Sequence, residues 1–139
     1  MLADLAGGRC PTLPAVQAAE IYLGSSLDRL KAIKMILCRY RGRGDTPPLG
    51  LRGSATITNL ATVESWRQRF NALPVVDPSK FHCPNDDASA VLAGFPGKDG
   101  TVALVQVSLQ GCQFVTIGTV TRSTKGSASL RDDILRLVP

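Results

Sequence analysis

The sequence contains one histidine and one tryptophan in 139 residues, and none of its four cysteines lies close to another. A zinc site takes ligands from short motifs such as Cys-x2-4-Cys, because one turn must aim two thiolates at a single ion. Here the cysteines are separated by 27, 44 and 28 residues, and His82 directly adjoins Cys83. This spacing argues against metal ligation, and a redox Cys-x-x-Cys motif is absent. We therefore expect no metal site and no cofactor.

Groups suited to catalysis are equally scarce. A catalytic cysteine or serine needs a histidine to activate it, and His82 is the only one. No nucleophile elbow surrounds a serine, and no glycine-rich phosphate loop precedes a predicted helix. The adjacent carboxylates Asp86 and Asp87 point apart on a turn, and turn formation explains them together with Asn85. We expect no catalytic residues and no enzyme activity.

Long apolar runs are also missing, since no stretch of 18 apolar residues could span a membrane. A length of 139 residues with 44% apolar residues is typical of one globular domain. The first ten residues lack the basic region and apolar stretch of a signal peptide. Any export signal is therefore expected to lie outside this chain or to have been removed from it.

The sequence does contain four cysteines suited to disulfides: Cys10, Cys38, Cys83 and Cys112. Two disulfides indicate an oxidising compartment, so we expect an extracellular or cell-envelope location. Four cysteines allow three pairings, and the sequence alone does not choose among them. The two similar intervals suggest Cys10 with Cys38 and Cys83 with Cys112.

The net charge of +5 is concentrated between residues 29 and 52, where only Asp45 opposes seven basic residues. A candidate basic patch in this stretch consists of Arg39, Arg41, Arg43 and Arg52. It could attract an acidic partner, an anionic lipid or nucleic acid, or it could simply keep an exposed strand edge hydrated. Nucleic-acid binders usually add aromatic stacking platforms, and only Tyr40 lies among these charges. Nucleic acid is thus disfavoured.

The chain divides into an irregular arm, residues 1–30, packed on a single domain, residues 31–139. Glycine and proline break the arm, Cys10 ties it down, and residues 15–30 fit neither helical nor strand periodicity. Alternation predicts a strand over 32–40, followed by a glycine- and proline-rich loop over 42–50 and a short strand at 56–58. Asn59 is a natural N-cap for an amphipathic helix that ends before Pro74. Its predicted buried side comprises Leu60, Val63, Arg67, Phe70 and Leu73, with Trp66 at the border.

The second half of the chain reads as a hairpin, a further strand and a closing helix. The hairpin joins residues 89–95 to 101–109 through a turn at Asp99 and Gly100. Alternation of apolar and polar residues over 105–110 predicts a sheet with one buried and one wet face. Residues 114–117 can add a strand, and Ser129 with Asp132 predicts a capping box for the last helix. The prediction is an α+β fold, an antiparallel sheet of about five strands with two helices on one face.

Four short motifs are Cys-Arg-Tyr at 38–40, Asn-Ala-Leu-Pro at 71–74, Cys-Pro-Asn-Asp-Asp at 83–87 and Gly-Cys at 111–112. Together they resemble a group of exported or lipoprotein-borne domains of actinobacteria. The resemblance covers most of residues 35–139. It implies an extracytoplasmic location and carries no activity with it.

The order of elements also resembles the subtilisin-inhibitor-like family, which has a strand ending in cysteine, a helix ending in Asn-Ala-Leu and a Cys-Pro loop. By this resemblance the reactive loop would run through Cys83, Pro84, Asn85, Asp86 and Asp87, and Asn85 would enter the protease's primary pocket. That family usually has Met, Lys or another large side chain at this position. Its other disulfide joins the strand to the following helix, which has no cysteine here.

Taken together, these observations predict a non-enzymatic, extracytoplasmic, disulfide-stabilised binding domain. Its partner would be a protein or a component of the cell envelope, with the identity and the oligomeric state left open. The alternative is a serine-protease inhibitor of the subtilisin-inhibitor-like type.

Overall fold

The structure is a computed structural model that describes residues 7–11, 32–42, 50–83, 89–97, 102–127 and 129–139. Within them lie six strands, two helices and one turn of 3-10 helix. In chain order these are β1 Met35–Tyr40, β2 Leu51–Ile57, α1 Leu60–Asn71, the 3-10 turn Pro78–Lys80, β3 Ala90–Pro96, β4 Val102–Ser108, β5 Val115–Ile117, β6 Val120–Arg122 and α2 Leu130–Leu137. The predicted α+β class is confirmed.

The strands form one antiparallel sheet in the order β2-β1-β3-β4-β5-β6. The prediction of about five strands is corrected to six, and β6 is the strand that was missed. Three residues are too few to reveal alternation. A better sequence signal for β6 is Gly118, because a glycine readily adopts the φ of 60° found in the two-residue turn between Ile117 and Val120.

The two described helices pack on the same face of the sheet, which we call the helix-side face. Val63, Trp66 and Phe70 of α1 and Leu130 and Ile134 of α2 are buried against it. Phe70 also meets Phe95 of β3 edge-on, with ring centroids 6.2 Å apart. The strand residues that complete this core include Met35, Leu37, Val91, Ala93, Ala103, Val105, Val107, Val115 and Ile117.

The buried stripe of α1 differs from the predicted one. Asn59 caps the helix as expected, since its side chain accepts a hydrogen bond of 3.0 Å from the amide of Thr62. However, Leu60 is 62% exposed and Arg67 pairs on the surface with Glu64. Leu60 and Arg67 lie roughly 80–100° around the helix from the centre of the buried stripe, to which Trp66 belongs. Trp66 is therefore core rather than border.

The predicted capping box of α2 is wrong. Ser129 makes no side-chain capping bond, and its hydroxyl accepts instead from the guanidinium of Arg69 at 3.0 Å. Arg69 also pairs with Asp133 at 2.9 Å, and hydrogen bonding from Arg69 is the main cause that lowers the pKa of Asp133. A partner on α1 thus replaces the local cap and joins the two helices.

The other side of the sheet, here the outer face, was expected to be wet, and half of it is not. A second buried cluster covers β1, β3 and the start of β4: Ile36, Cys38, Tyr40, Leu92, Val102 and Leu104. Cys10 packs against this cluster, and the hydroxyl of Tyr40 donates a hydrogen bond to the carbonyl of Pro11. The described part of the arm thus contacts the domain, while the boundary predicted at residue 30 lies outside the described residues. No described helix is long and apolar enough to cross a membrane.

Candidate functional site

Along one row of paired strand residues, the outer face changes from buried apolar side chains to partly exposed polar ones. The pairing runs from Cys38 to Leu92, then to Gln106, Thr116 and Thr121. Cys38 and Leu92 belong to the buried cluster, whereas the other three are only partly covered. We call the β1–β3 side with its buried cluster the apolar half. The polar half consists of Gln106, Ser108, Phe114, Thr116 and Thr121.

A strap formed by residues 74–83 carries the chain from the end of α1 around the β6 edge to the polar half. Val75 forms a bridge with Arg122, the amide of Val76 donates to the carbonyl of Thr121, and the amide of Ser123 donates to the carbonyl of Pro74. The strap therefore caps an edge strand whose backbone groups would otherwise invite further pairing.

The strap then turns at the 3-10 helix. The carboxylate of Asp77 accepts from the amide of Ser79 at 3.0 Å and from its hydroxyl at 2.7 Å. These bonds, the hydroxyl first, lower the pKa of Asp77. The local turn thus directs the chain onto the outer face.

An aromatic contact and a disulfide fix the end of the strap. Phe81, 44% exposed, meets Phe114 edge-on with ring centroids 5.3 Å apart. Cys83 is bonded to Cys112, with Cα atoms 5.0 Å apart. Cys83 is itself exposed, so this crosslink lies at the surface. The other disulfide joins Cys10 to Cys38, and both pairs agree with the suggestion from the intervals.

Cys112 lies on a tight turn that several hydrogen bonds support. The amide of Gln113 donates to the carbonyl of Gln110 at 3.2 Å, and Gln113 in turn accepts from the hydroxyl of Thr124 at 3.1 Å. Gly111 and Gln113 both have positive φ, 66° and 53°. A non-glycine residue in this region is uncommon and is held there by its surroundings. The disulfide is therefore anchored to a well-defined turn.

Beneath the disulfide the polar half forms a cavity of about 180 Å³. Its walls offer amide and hydroxyl groups, one aromatic ring and the disulfide itself. They are Cys83, Gln106, Ser108, Cys112, Gln113, Phe114 and Thr116. Among the described residues that line it, no side chain is ionisable, so this part of the wall suits a neutral group that both donates and accepts hydrogen bonds.

The predicted loop is only partly described. Cys83 adjoins the cavity, whereas Pro84, Asn85, Asp86 and Asp87 lie outside the described residues. His82 is exposed beside the disulfide. All four cysteines are bonded, so none offers a thiolate nucleophile.

Three of the four residues of the predicted basic patch lie within the described part of the chain. Arg39 lies on β1 in the alternation of Leu37, which places it on the helix-side face, while Arg41 follows β1 and is exposed. Arg52 is exposed on β2, and Arg43 lies outside the described residues. Burial lowers the pKa of Arg39, and so do the positive charges of Arg52 and Arg131.

Arg131 and the cavity residues Thr116 and Gln113 were not singled out from the sequence. Arg131 belongs to α2, far along the chain from Arg39, and no local pattern links the two. The alternation of Gln106 and Ser108 with buried valines did mark them as wet, and it was the available signal for the polar half.

Comparisons with protein-family models, with curated proteins and with solved structures found no match to this chain. Within the described residues, no group of three or more His, Cys, Asp and Glu side chains could hold a metal ion.

Proposed function

We propose that this chain is a non-enzymatic, extracytoplasmic binding domain whose partner surface is the polar half together with the strap disulfide. The observation that carries the proposal is the cavity under Cys83–Cys112. At about 180 Å³ it is smaller than the roughly 300–1,000 Å³ typical of small-molecule sites. It has room for one side chain of a partner and not for a whole metabolite.

The chemistry of the walls narrows the kind of partner. Gln106 and Thr116 present an amide and a hydroxyl, and Phe114 adds an apolar ring. The hydroxyl of Ser108 already donates to the carbonyl of Gln110 at 3.2 Å, so its oxygen serves as an acceptor. Such a set recognises a neutral polar side chain or an exposed backbone amide, because each hydrogen bond left unmade would be costly. A protein or cell-envelope partner with a protruding side chain fits this surface.

The two disulfides support the extracytoplasmic part of the proposal. All four cysteines are paired, and disulfides of this kind persist in oxidising compartments and are rare in the cytosol.

Selection from a displayed random-peptide library on the oxidised protein tests the proposal. Selected peptides should shift the amide NMR signals of residues 106–116 and leave those of 36–40 and 92 unchanged. Peptides that bind only through residues outside the polar half and the strap, or a library that yields no binder at all, would contradict it.

A second candidate function, inhibition of a serine protease, is favoured by one observation. The Cys83–Cys112 bond holds the residue before Pro84 to the turn at 110–113, and a rigid loop loses little entropy on docking. Asn85, however, brings little apolar area to a protease pocket and an amide that must find partners there.

We therefore expect the natural protein not to inhibit subtilisin or trypsin tightly. If the loop has inhibitor geometry, Asn85→Met should produce measurable inhibition of subtilisin, with Asn85→Ser as the matched control. Progress curves of chromogenic peptide hydrolysis provide the measurement. Nanomolar inhibition by the unsubstituted protein would make inhibition the first choice.

A further inference from the structure

Three arginines from three separate elements lie at one end of the sheet. Arg39 of β1 pairs in register with Gly53 of β2, and Arg52 precedes that glycine where the register shifts between Arg39 and Tyr40. Arg131 lies in the first turn of α2, and its Nε donates to the carbonyl of Leu109 at 2.9 Å. Strand pairing and this hydrogen bond thus place three residues that are distant in sequence at the same end of the sheet.

The described carboxylate side chains supply little negative charge to balance them, and a main-chain oxygen of Pro139 lies beside Gly53, 3.1 Å from the position that a Cβ there would occupy. Arg131 reaches Asp132 at 3.3 Å, but this carboxylate is itself 67% exposed. In the described part of the chain no carboxylate forms an ion pair with Arg39 or Arg52. Burial is the main cause that lowers the pKa of Arg39, and repulsion from the positive charges of Arg52 and Arg131 lowers it further. An anion between the guanidinium groups would relieve this repulsion.

We propose that Arg39, Arg52 and Arg131 form a binding site for a tetrahedral oxyanion, a phosphate or sulfate group. Guanidinium groups bind such groups through paired N–H donors, and hydrogen bonds to an ionised acceptor are about twice as strong as neutral ones. Partial burial of Arg39 strengthens the attraction, since screening by solvent is reduced. This site shares no residue with the cavity of the polar half, so either proposal can fail alone.

Titration of the protein with inorganic phosphate, at an ionic strength held constant with sodium chloride, tests the site. The arginine Nε–H NMR signals of the three residues should shift together and saturate. Arg52→Gln removes an exposed donor without disturbing the core, and it should weaken phosphate affinity roughly tenfold. Lys125→Gln, an exposed charge beyond β6 at the opposite edge of the sheet, should leave affinity unchanged.

A phosphate group can be free or carried by a lipid, and vesicles distinguish the two sources. Binding to phosphatidylglycerol vesicles that inorganic phosphate displaces and Arg52→Gln weakens would assign a lipid headgroup. Saturable phosphate binding without vesicle binding would assign a free anion. Shifts that grow linearly without saturation, equal affinities for Arg52→Gln and the natural protein, or vesicle binding that phosphate does not displace would overturn the proposal.

Discussion

The two halves of the outer face each hold a disulfide, and the two crosslinks differ in what surrounds them. Cys38 is fully buried in the apolar half, where Cys10 packs against the buried cluster. Cys83 is exposed, and its bond to Cys112 lines the cavity of the polar half. The sequence separations, 28 and 29 residues, are almost equal. The same crosslink therefore completes a core in one place and fixes a surface strap in the other.

Because the two sequence separations are almost equal, the contributions of the two disulfides to stability can be compared directly. On the chain-entropy model each bond stabilises the fold by roughly 3–4 kcal/mol through the unfolded state. Any difference between the two must then come from packing in the folded state.

Removing both cysteines of one pair at a time is expected to give the largest effects. Cys83→Ala with Cys112→Ala should cost about 3–4 kcal/mol of the free energy of unfolding. Cys10→Ala with Cys38→Ala should cost more, because it also deletes buried sulfur atoms and loosens the cover of the apolar half. Urea unfolding of both double variants measures the difference. A larger loss for the exposed pair would break the comparison.

Leu92 and Gln106 are direct partners in the β3–β4 register and lie on opposite sides of the boundary. Leu92→Ala should cost about 2–5 kcal/mol, because the side chain is 1% exposed and leaves a cavity. Gln106→Ala should change stability by less than about 0.5 kcal/mol. Chemical denaturation provides both values. Similar costs at the two positions would mean that the outer face is not divided where the structure divides it.

Tyr40 gives the apolar half a dependence on alkaline pH. Burial raises the pKa of its hydroxyl from 10.0 to about 12. Below pH 10 the phenol is neutral in both states, so its contribution to stability is constant. Between about pH 10 and 12 the unfolded state releases this proton first, so stability falls as pH rises.

Tyr40→Phe should remove that part of the pH dependence and cost about 1 kcal/mol at neutral pH through the lost hydrogen bond to Pro11. Urea unfolding between pH 9 and pH 11 is the measurement. Tyr22 is present in both proteins, so a difference between their pH profiles reports on Tyr40. An unchanged pH dependence in the variant would show that the phenol is not buried.

The sequence predicted the features that depend on local pattern. Asn59 caps α1, the valines of β4 alternate with Gln106 and Ser108, and the cysteine intervals suggest the observed pairs. In each of these cases the physical determinant lies within a few residues or in a spacing along the chain. The α+β class follows from the same local signals.

The features that failed depend on contacts between distant residues. Cys10 and Pro11 contact the apolar half, and the alternation within β4 carries no record of these contacts. The hydroxyl of Ser129 accepts a hydrogen bond from Arg69 instead of capping α2 as predicted. Arg131 lies at the same end of the sheet as Arg39 only because α2 packs over the sheet. A single sequence does not display these long-range pairings.

The central claim is that partners bind the polar half and not the apolar half. Thr116 and Thr56 both belong to the outer face. Thr116 lies in β5 beside the cavity, whereas Thr56 lies in the edge strand β2 opposite Ile36. The affinity of a selected peptide for the Thr116→Trp and Thr56→Trp variants tests the claim with one substitution at two places. We predict that Thr116→Trp fills the cavity and weakens binding by at least about tenfold, while Thr56→Trp leaves it unchanged. Equal affinities for the two variants would contradict the account.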